Sequence, residues 1–220
     1  MKKITILLIS YWMACFNTLT AQNMKELFIN MPDTLSLILT KVNRADCADF
    51  LASKMQAKVT NRFNNSSEVK ILNDNYLLAQ VTPNSTWEMR KLPLEDSLSV
   101  ICMVKTVKGP IEDSRILFYS TDWKKLPTED FLKEMPTSDD FFLSPVPEQA
   151  DSLNDIRIKA NITFIKAKLS ATQNTLTFIY NTPEYMNKED SIKIKQFMKN
   201  SPLIYEWKDK RFQLVTNKHQ

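Results

Sequence analysis

The sequence predicts an α+β protein, with antiparallel sheet, a few helices and two related modules that lie side by side. Three observations lead to this class. Apolar residues follow a helical spacing in the early part of the chain and a spacing of two after the polar turn at residues 64–67. Short connections join the segments of period two, which favours antiparallel hairpins. A hydrophobic content of 43 % is enough to build a packed core.

Residues 1–21 are typical of a cleaved signal peptide. Two lysines precede an uncharged run at residues 4–16, and small and polar residues lead to Ala21. The run is shorter than the roughly 20 residues that span a bilayer, and no second long apolar stretch follows. We therefore expect a periplasmic or extracellular protein that begins at Gln22 and has no transmembrane segment after processing.

The three cysteines leave two questions open. A lipid anchor at Cys15 is the lesser alternative to cleavage at Ala21, because Trp12 stands where lipoprotein signals carry an aliphatic residue. An exported protein meets oxidising conditions, so Cys47 and Cys102 could form a disulfide. Both lie at apolar positions, however, and two inert core thiols are the favoured interpretation.

Residues 22–126 are predicted to form an N-terminal α+β module. We expect helices at residues 24–31, 33–39 and 43–55, and strands at residues 76–81, 86–90, 98–107 and 115–119. Pro32 ends the first helix, and Asn43 is expected to cap the third. The strand at residues 98–107 is apolar on both faces, which predicts a central strand covered on both sides, with the helix on one of them.

Residues 127–154 are predicted to connect the two modules, with a short helix at residues 131–135. Residues 155–220 are predicted to form a β-rich C-terminal module. Strict alternation predicts a strand at residues 156–164 and another at 176–180, whereas residues 189–200 fit either a helix or a strand. A closing hairpin is expected around residues 208–210. Residues 82–86 resemble residues 171–175, which allows either a duplication or chance similarity.

Composition excludes several chemistries. Gly109 is the single glycine, so the chain cannot form a glycine-rich phosphate loop or a dinucleotide fingerprint. His219 is the single histidine and lies at the chain end, which excludes histidine-based catalytic triads and histidine zinc sites. We therefore expect no cofactor and no metal. The chain after residue 21 carries 27 basic and 25 acidic side chains, so it has no electrostatic case for binding nucleic acid.

No set of residues predicts catalysis. Asp46 with Asp49, Glu112 with Asp113, and Asp139 with Asp140 are the closest acidic pairs, and their ordinary role is in caps and solvated loops. Aromatic side chains at strand positions are the weak candidates for ligand binding, since such rings stack on sugars or peptides, although they more often lie in a core. These candidates are Trp87, Tyr119, Trp123, Tyr180, Tyr205 and Trp207.

Five segments resemble a known family. They are residues 28–33 (FINMPD), 43–46 (NRAD), 73–77 (NDNYL), 101–107 (ICMVKTV) and 113–119 (DSRILFY), of which the last is the most specific. Over nearly all of the mature chain they resemble the uncharacterised exported proteins of Bacteroidetes grouped as domain of unknown function 3256. The resemblance implies export, and it carries no known activity or functional residue.

Four triplets share an acid, a hydroxyl residue and an aliphatic residue. This order is similar to the O-glycan acceptor motif of exported Bacteroidetes proteins, and it equally fits helix and turn caps. The hydroxyl residues are Thr34, Ser97, Ser152 and Ser191.

Three functions remain open at this point. The leading hypothesis is a non-enzymatic binding protein of the periplasm or cell surface, whose partner is another envelope protein or a glycan. The alternative is a carboxylate-dependent hydrolase that acts on sugars, which predicts two facing acids in a cleft. A structural subunit of an envelope complex is the third.

Overall fold

The computed structural model describes residues 22–95 and 98–215. The predicted signal peptide, Cys15, Ser97 and His219 lie outside the described residues. The first part of the chain contains helices α1 (Met24–Asn30) and α2 (Lys41–Ala52) and strands β1 (Ala57–Thr60), β2 (Ser66–Leu72), β3 (Tyr76–Thr82), β4 (Ser85–Pro93), β5 (Ser99–Lys108), β6 (Glu112–Ser120) and β7 (Lys125–Leu126). The second part contains α3 (Ala150–Lys159), β8 (Ile165–Leu169), β9 (Thr175–Tyr180), α4 (Lys188–Lys195), β10 (Leu203–Lys208) and β11 (Arg211–Leu214).

The strands form two antiparallel sheets. The first has seven strands in sequence order, from β1 to β7, and the second has four strands in the order β11-β10-β9-β8. The predicted α+β class with two sheets is therefore confirmed. None of the described helices combines the length and the apolar character that a membrane span requires.

The seven-stranded sheet separates two hydrophobic cores. Ile101 and Met103 of β5 pack toward α1 and α2, in what we call the helix-side core. Val100, Cys102 and Val104 pack on the opposite face against the second part of the chain, in what we call the inter-sheet core. The prediction that this strand is covered on both faces, by a helix on one, is confirmed.

The two cysteines are free and buried on opposite faces of this sheet. Cys47 of α2 belongs to the helix-side core, and Cys102 belongs to the inter-sheet core. Burial raises the pKa of the Cys47 thiol to about 11 and raises the pKa of Cys102 as well. The sequence allowed either a disulfide between Cys47 and Cys102 or two core thiols, and the structure has two core thiols.

The helix predicted at residues 33–39 is wrong, because a buried arginine organises this segment as a loop. The Arg44 side chain is fully buried and donates to the carbonyl oxygens of Leu39 at 2.6 Å and Ile29 at 3.2 Å, and to that of Met31. Its guanidinium also pairs with Asp33 at 3.0 Å. Arg44 thus binds groups on both sides of the segment and the Asp33 side chain at its start, so residues 33–39 curve around the guanidinium.

Helix α2 begins two residues earlier than predicted. Thr40 is its N-cap and accepts a hydrogen bond from the Asn43 backbone N–H at 3.1 Å. The Asn43 side chain accepts in return from the Thr40 N–H at 3.2 Å, which forms a capping box. Asn43 therefore supports the start of the helix from inside it.

The strand predicted at residues 156–164 is also wrong, because residues 156–159 belong to helix α3 and residues 160–164 form neither helix nor strand. Leu153 and Ile156 are three residues apart and both are buried, whereas Ile158 is 67 % exposed. The alternation of apolar residues was therefore misleading, since burial follows the helical period. The predicted strand at residues 176–180 and the hairpin that turns at Asp209 and Lys210 are confirmed. Of residues 189–200, which fitted either a helix or a strand, residues 189–195 belong to helix α4.

Strand β8 crosses the face of the seven-stranded sheet, and side chains of that sheet cover its free edge. The outward N–H groups of β8 belong to Ile165, Ala167 and Leu169. They donate to Asp113 at 3.0 Å, to Ser114 at 2.9 Å and to Glu88 at 2.7 Å, respectively. These bonds satisfy the donors of an edge strand and fix the second sheet against the first.

Candidate functional site

The candidate aromatic residues do not gather on one surface. Trp87, Tyr119 and Trp123 lie in the helix-side core and are at most 8 % exposed. The Lys105 ammonium lies 4.8 Å from the centre of the Trp87 ring, and the Trp123 indole N–H donates to the Leu27 carbonyl at 3.2 Å. These three rings are therefore occupied by contacts within the protein.

The other three aromatic candidates lie on the opposite side of the sheet. Tyr180 and Trp207 are buried in the inter-sheet core, and the Trp207 indole N–H donates to the Pro93 carbonyl at 2.8 Å. Tyr205 is only partly buried, and one side of it reaches a groove at the protein surface. Of the six candidates, Tyr205 is the one that the structure places beside that groove.

The acidic pairs noted in the sequence have structural partners or face solvent. In residues 22–95 and 98–215 no group of three or more His, Cys, Asp or Glu side chains is arranged to hold a metal ion. Three of the six acids form ion pairs, Asp49 with Lys25, Glu112 with Lys166 and Asp139 with Arg157. Asp113 and Asp140 accept hydrogen bonds from backbone N–H groups. Asp46 is exposed to solvent.

The candidate glycan acceptors differ in accessibility. Thr34 is exposed in the turn before α2, and Ser152 is exposed near the start of α3. Ser191 is partly buried within α4, and Ser97 lies outside the described residues. Thr34 and Ser152 are thus the described positions that a modifying enzyme could reach most readily, and their modification stays a prediction.

The surface groove opens where the chain leaves the outer edge of β11. The Phe131 carbonyl accepts a hydrogen bond from the Phe212 N–H at 2.7 Å. The next residue, Leu132, instead donates to the Thr128 carbonyl at 2.8 Å, so residues 132–137 turn away from the strand. A space of about 570 Å³ separates the two walls. We call it the β11 groove, and its lining consists of residues 132–137, Asp140, Tyr205 and residues 211–214.

The β11 groove combines exposed apolar side chains with charged ones at its rim. Met135 is 43 % exposed on one wall and Leu214 is 46 % exposed on the other. Leu214 and Tyr205 are direct partners in the β10–β11 ladder, so their side chains lie on the same face of the sheet. The charged groups of the rim are Lys133, Glu134, Asp140 and Arg211.

The Tyr205 end of the groove is acidic. Burial raises the pKa of the Tyr205 hydroxyl, and the negative charges of Asp140 and Glu134 raise it further. The hydroxyl is therefore neutral at physiological pH and can donate or accept a hydrogen bond. The Asp140 carboxylate is held in place by the Thr137 N–H at 2.7 Å.

Sequence reasoning missed Met135, Leu214 and Arg211. The predicted hairpin around residues 208–210 could have placed Leu214 opposite Tyr205, because the turn fixes the register of the two strands. Nothing local indicates that residues 132–137 pack beside β11, more than 70 positions later in the chain.

The comparisons with known proteins identify the family and the fold. A family model described as "Protein of unknown function (DUF3256)" matches residues 16–212. The chain belongs to this family. A solved domain of an uncharacterized protein from Porphyromonas gingivalis W83 is similar to it in structure, with a TM-score of 0.78, 29 % sequence identity, and coverage of 90 % of this chain and 100 % of that one. No curated protein matches the chain.

The segments that resemble the DUF3256 family have structural roles in this protein. Asp33 and Arg44 belong to two of these segments and form one ion pair. The Asn73 side chain accepts the N–H of Tyr76 at 2.8 Å and so closes the turn before β3. Asp113 of the most specific segment caps the edge of β8. These residues therefore account for the fold, and the β11 groove lies apart from them.

Proposed function

We propose that this DUF3256 protein is an exported, non-enzymatic interaction protein that binds another envelope protein in the β11 groove. The observation that carries the proposal is the groove itself, where exposed Met135 and Leu214 face each other at the edge of a sheet. Apolar side chains that remain exposed in a concave site favour binding over folding as their role. The N-terminal pattern at residues 1–21 supports export.

A protein partner is favoured over a glycan by the position of the rings. Sugar-binding surfaces use exposed aromatic faces, whereas Trp87, Trp123 and Trp207 are each less than 10 % exposed. Tyr205 contributes one partly buried ring to the groove, and the exposed apolar side chains beside it are those of Met135 and Leu214. Aliphatic and methionine side chains suit the side chains of a polypeptide.

The binding proposal is tested by photo-crosslinking in cells. A photoreactive residue replaces Met135 in the groove, and the matched control replaces Met55, which is 58 % exposed near the end of α2. We expect a discrete adduct with one envelope protein from position 135 and none from position 55. The same adducts from both positions, or none from either, would contradict the proposal.

Export is tested separately by fractionation. The processed protein is expected outside the inner membrane, with an N-terminus at Gln22. Replacement of Ala21 by a bulky residue should leave the precursor uncleaved, because signal peptidases need a small residue there. A protein that keeps residues 1–21 and stays in the cytoplasm would refute this part of the proposal.

A carboxylate-dependent sugar hydrolase is the second candidate. It is favoured by one observation, the presence of Glu134 and Asp140 in the same groove, close enough to Tyr205 to raise its pKa. Two acids are the minimum set for glycoside hydrolysis. Turnover of an oligosaccharide that is lost in both Glu134→Gln and Asp140→Asn would establish this function and replace the binding proposal.

A further inference from the structure

The two sheets have four edge strands, and three of these are short or lie against other parts of the chain. β7 is only two residues long. Helix α2 packs beside β1, where the Asn43 side chain donates to the outward carbonyl of Thr60 at 3.2 Å. The outward N–H groups of β8 all donate to side chains of the first sheet. Proteins close their edges in these ways because a free edge pairs with other chains.

The edge of β11 differs. The Val215 N–H donates to the Ile204 carbonyl at 2.8 Å, so in this register alternate residues point their N–H groups toward β10. The N–H groups of Phe212 and Leu214 point outward instead. Phe212 pairs with the Phe131 carbonyl, but among residues 22–95 and 98–215 the Leu214 N–H has no backbone partner.

The position of this free N–H indicates what kind of molecule fits. The Phe131–Phe212 bond shows that one outward N–H of this edge already donates to a backbone carbonyl from elsewhere in the chain. Beyond it, the β11 groove provides the space that a further strand would need, and Leu214 and Met135 provide an apolar floor for one of its side chains. Backbone pairing with alternate side-chain pockets is the recognition mode of strand addition.

We propose that β11 receives an extended polypeptide as an additional strand, paired with the backbone of Leu214 and with an aliphatic side chain against Met135. This inference rests on the proposed function and names the class of its ligand. Glu134 and Asp140 at one end of the groove favour a segment that carries a basic side chain there.

The test uses the purified protein and a displayed library of randomised nine-residue segments as the probe. The strongest binder is then synthesised with single N-methyl groups along its backbone. Strand addition predicts that N-methylation weakens binding about tenfold at the one position whose N–H faces the backbone of Leu214, and leaves the two neighbouring positions, whose N–H groups point away from β11, nearly unchanged. Uniform tolerance of N-methylation would overturn strand addition while leaving binding in the groove intact.

The protein side is tested with two substitutions at one position. Leu214→Pro removes the outward N–H, which an edge strand tolerates, whereas Leu214→Ile keeps the N–H and changes only the side chain. We expect about tenfold weaker binding in the proline variant and less than threefold weaker binding in the isoleucine variant. Equal binding by both variants would contradict the proposal, and the N-methyl series on the unmodified protein remains decisive should Leu214→Pro unfold.

Two further outcomes separate this inference from the proposed function. Failure of the library to give any groove-dependent binder would overturn strand addition, while the adduct from position 135 would still report on binding. Self-association of the protein that disappears in Leu214→Pro would show that a second copy occupies the edge, and this would also overturn the proposal.

Discussion

Glu88 provides a test of how the two sheets are held together. Its carboxylate is 6 % exposed between them and accepts from the Leu169 N–H at 2.7 Å and from the Tyr76 hydroxyl at 3.1 Å. Burial raises the pKa of Glu88, and these two hydrogen bonds offset only part of the increase. The folded protein therefore binds the proton more tightly than the unfolded chain does.

The sign of the pH dependence follows from this increase. A carboxyl group with a raised folded pKa contributes stability that is fully present below the unfolded pKa, about 4.3, and is lost as the pH rises through the folded pKa. Each unit of increase corresponds to about 1.4 kcal/mol of unfolding free energy. Glu88→Gln removes the titration and keeps an oxygen that can accept both hydrogen bonds, so the pH dependence that Glu88 contributes should disappear.

The assay is equilibrium unfolding in urea between pH 4 and pH 8. We expect the unfolding free energy of the wild-type protein to fall relative to that of Glu88→Gln as the pH rises, and any constant effect of the amide cancels in this comparison. Glu88→Ala should cost about 1–3 kcal/mol for each of the two donors that it leaves unpaired. A difference between wild type and Glu88→Gln that stays flat over this range, or that changes in the opposite direction, would show that the pKa of Glu88 is not raised in the folded protein.

Three further predictions follow from the buried groups. Cys47 and Cys102 should not react with thiol reagents at pH 8 until the protein unfolds, because burial raises the pKa of both thiols; rapid labelling of the native protein would contradict this. Arg44→Met should cost about 2–6 kcal/mol by urea unfolding because it leaves the buried carbonyls of Leu39 and Met31 without a donor, whereas Arg62→Met, which removes an exposed partner of Asp33, should cost less than about 1 kcal/mol. Ser114→Ala should cost about 1–3 kcal/mol because it leaves an N–H of β8 without an acceptor, and Ser114→Thr should restore most of the loss; equal stability of both variants would argue against that bond.

Four of the seven strands of the first sheet, β3 to β6, were predictable because each pairs with its neighbour in sequence, whereas β1, β2 and β7 were not predicted. The period of two and the polar turns indicate β3 to β6, and the apolar character of β5 on both faces indicates its central position. The alternation over residues 156–164 was misleading because Ile158 is an exposed helical residue, and only tertiary packing distinguishes it from a buried strand position.

The candidate site was less predictable than the fold, for a physical reason. A period of two shows that Trp87 and Trp207 face one side of a strand, but it does not show that these two sides belong to different cores. The β11 groove is formed by residues 132–137 and a strand far along the chain, so no local pattern contains it. The pairing of Leu214 with Tyr205 is the part of the groove that the predicted hairpin could have located.

The two outer edges of the second sheet differ in how their N–H groups are satisfied, and amide hydrogen exchange measures that difference directly. We expect fast exchange for the Leu214 N–H and slow exchange for the N–H groups of Phe212, Ala167 and Leu169, which have acceptors at 2.7 to 2.9 Å. Addition of a peptide selected for binding in the groove should then slow exchange at Leu214. Strong protection of Leu214 in the free protein, or rapid exchange along β8, would contradict the claim that β11 is the open edge.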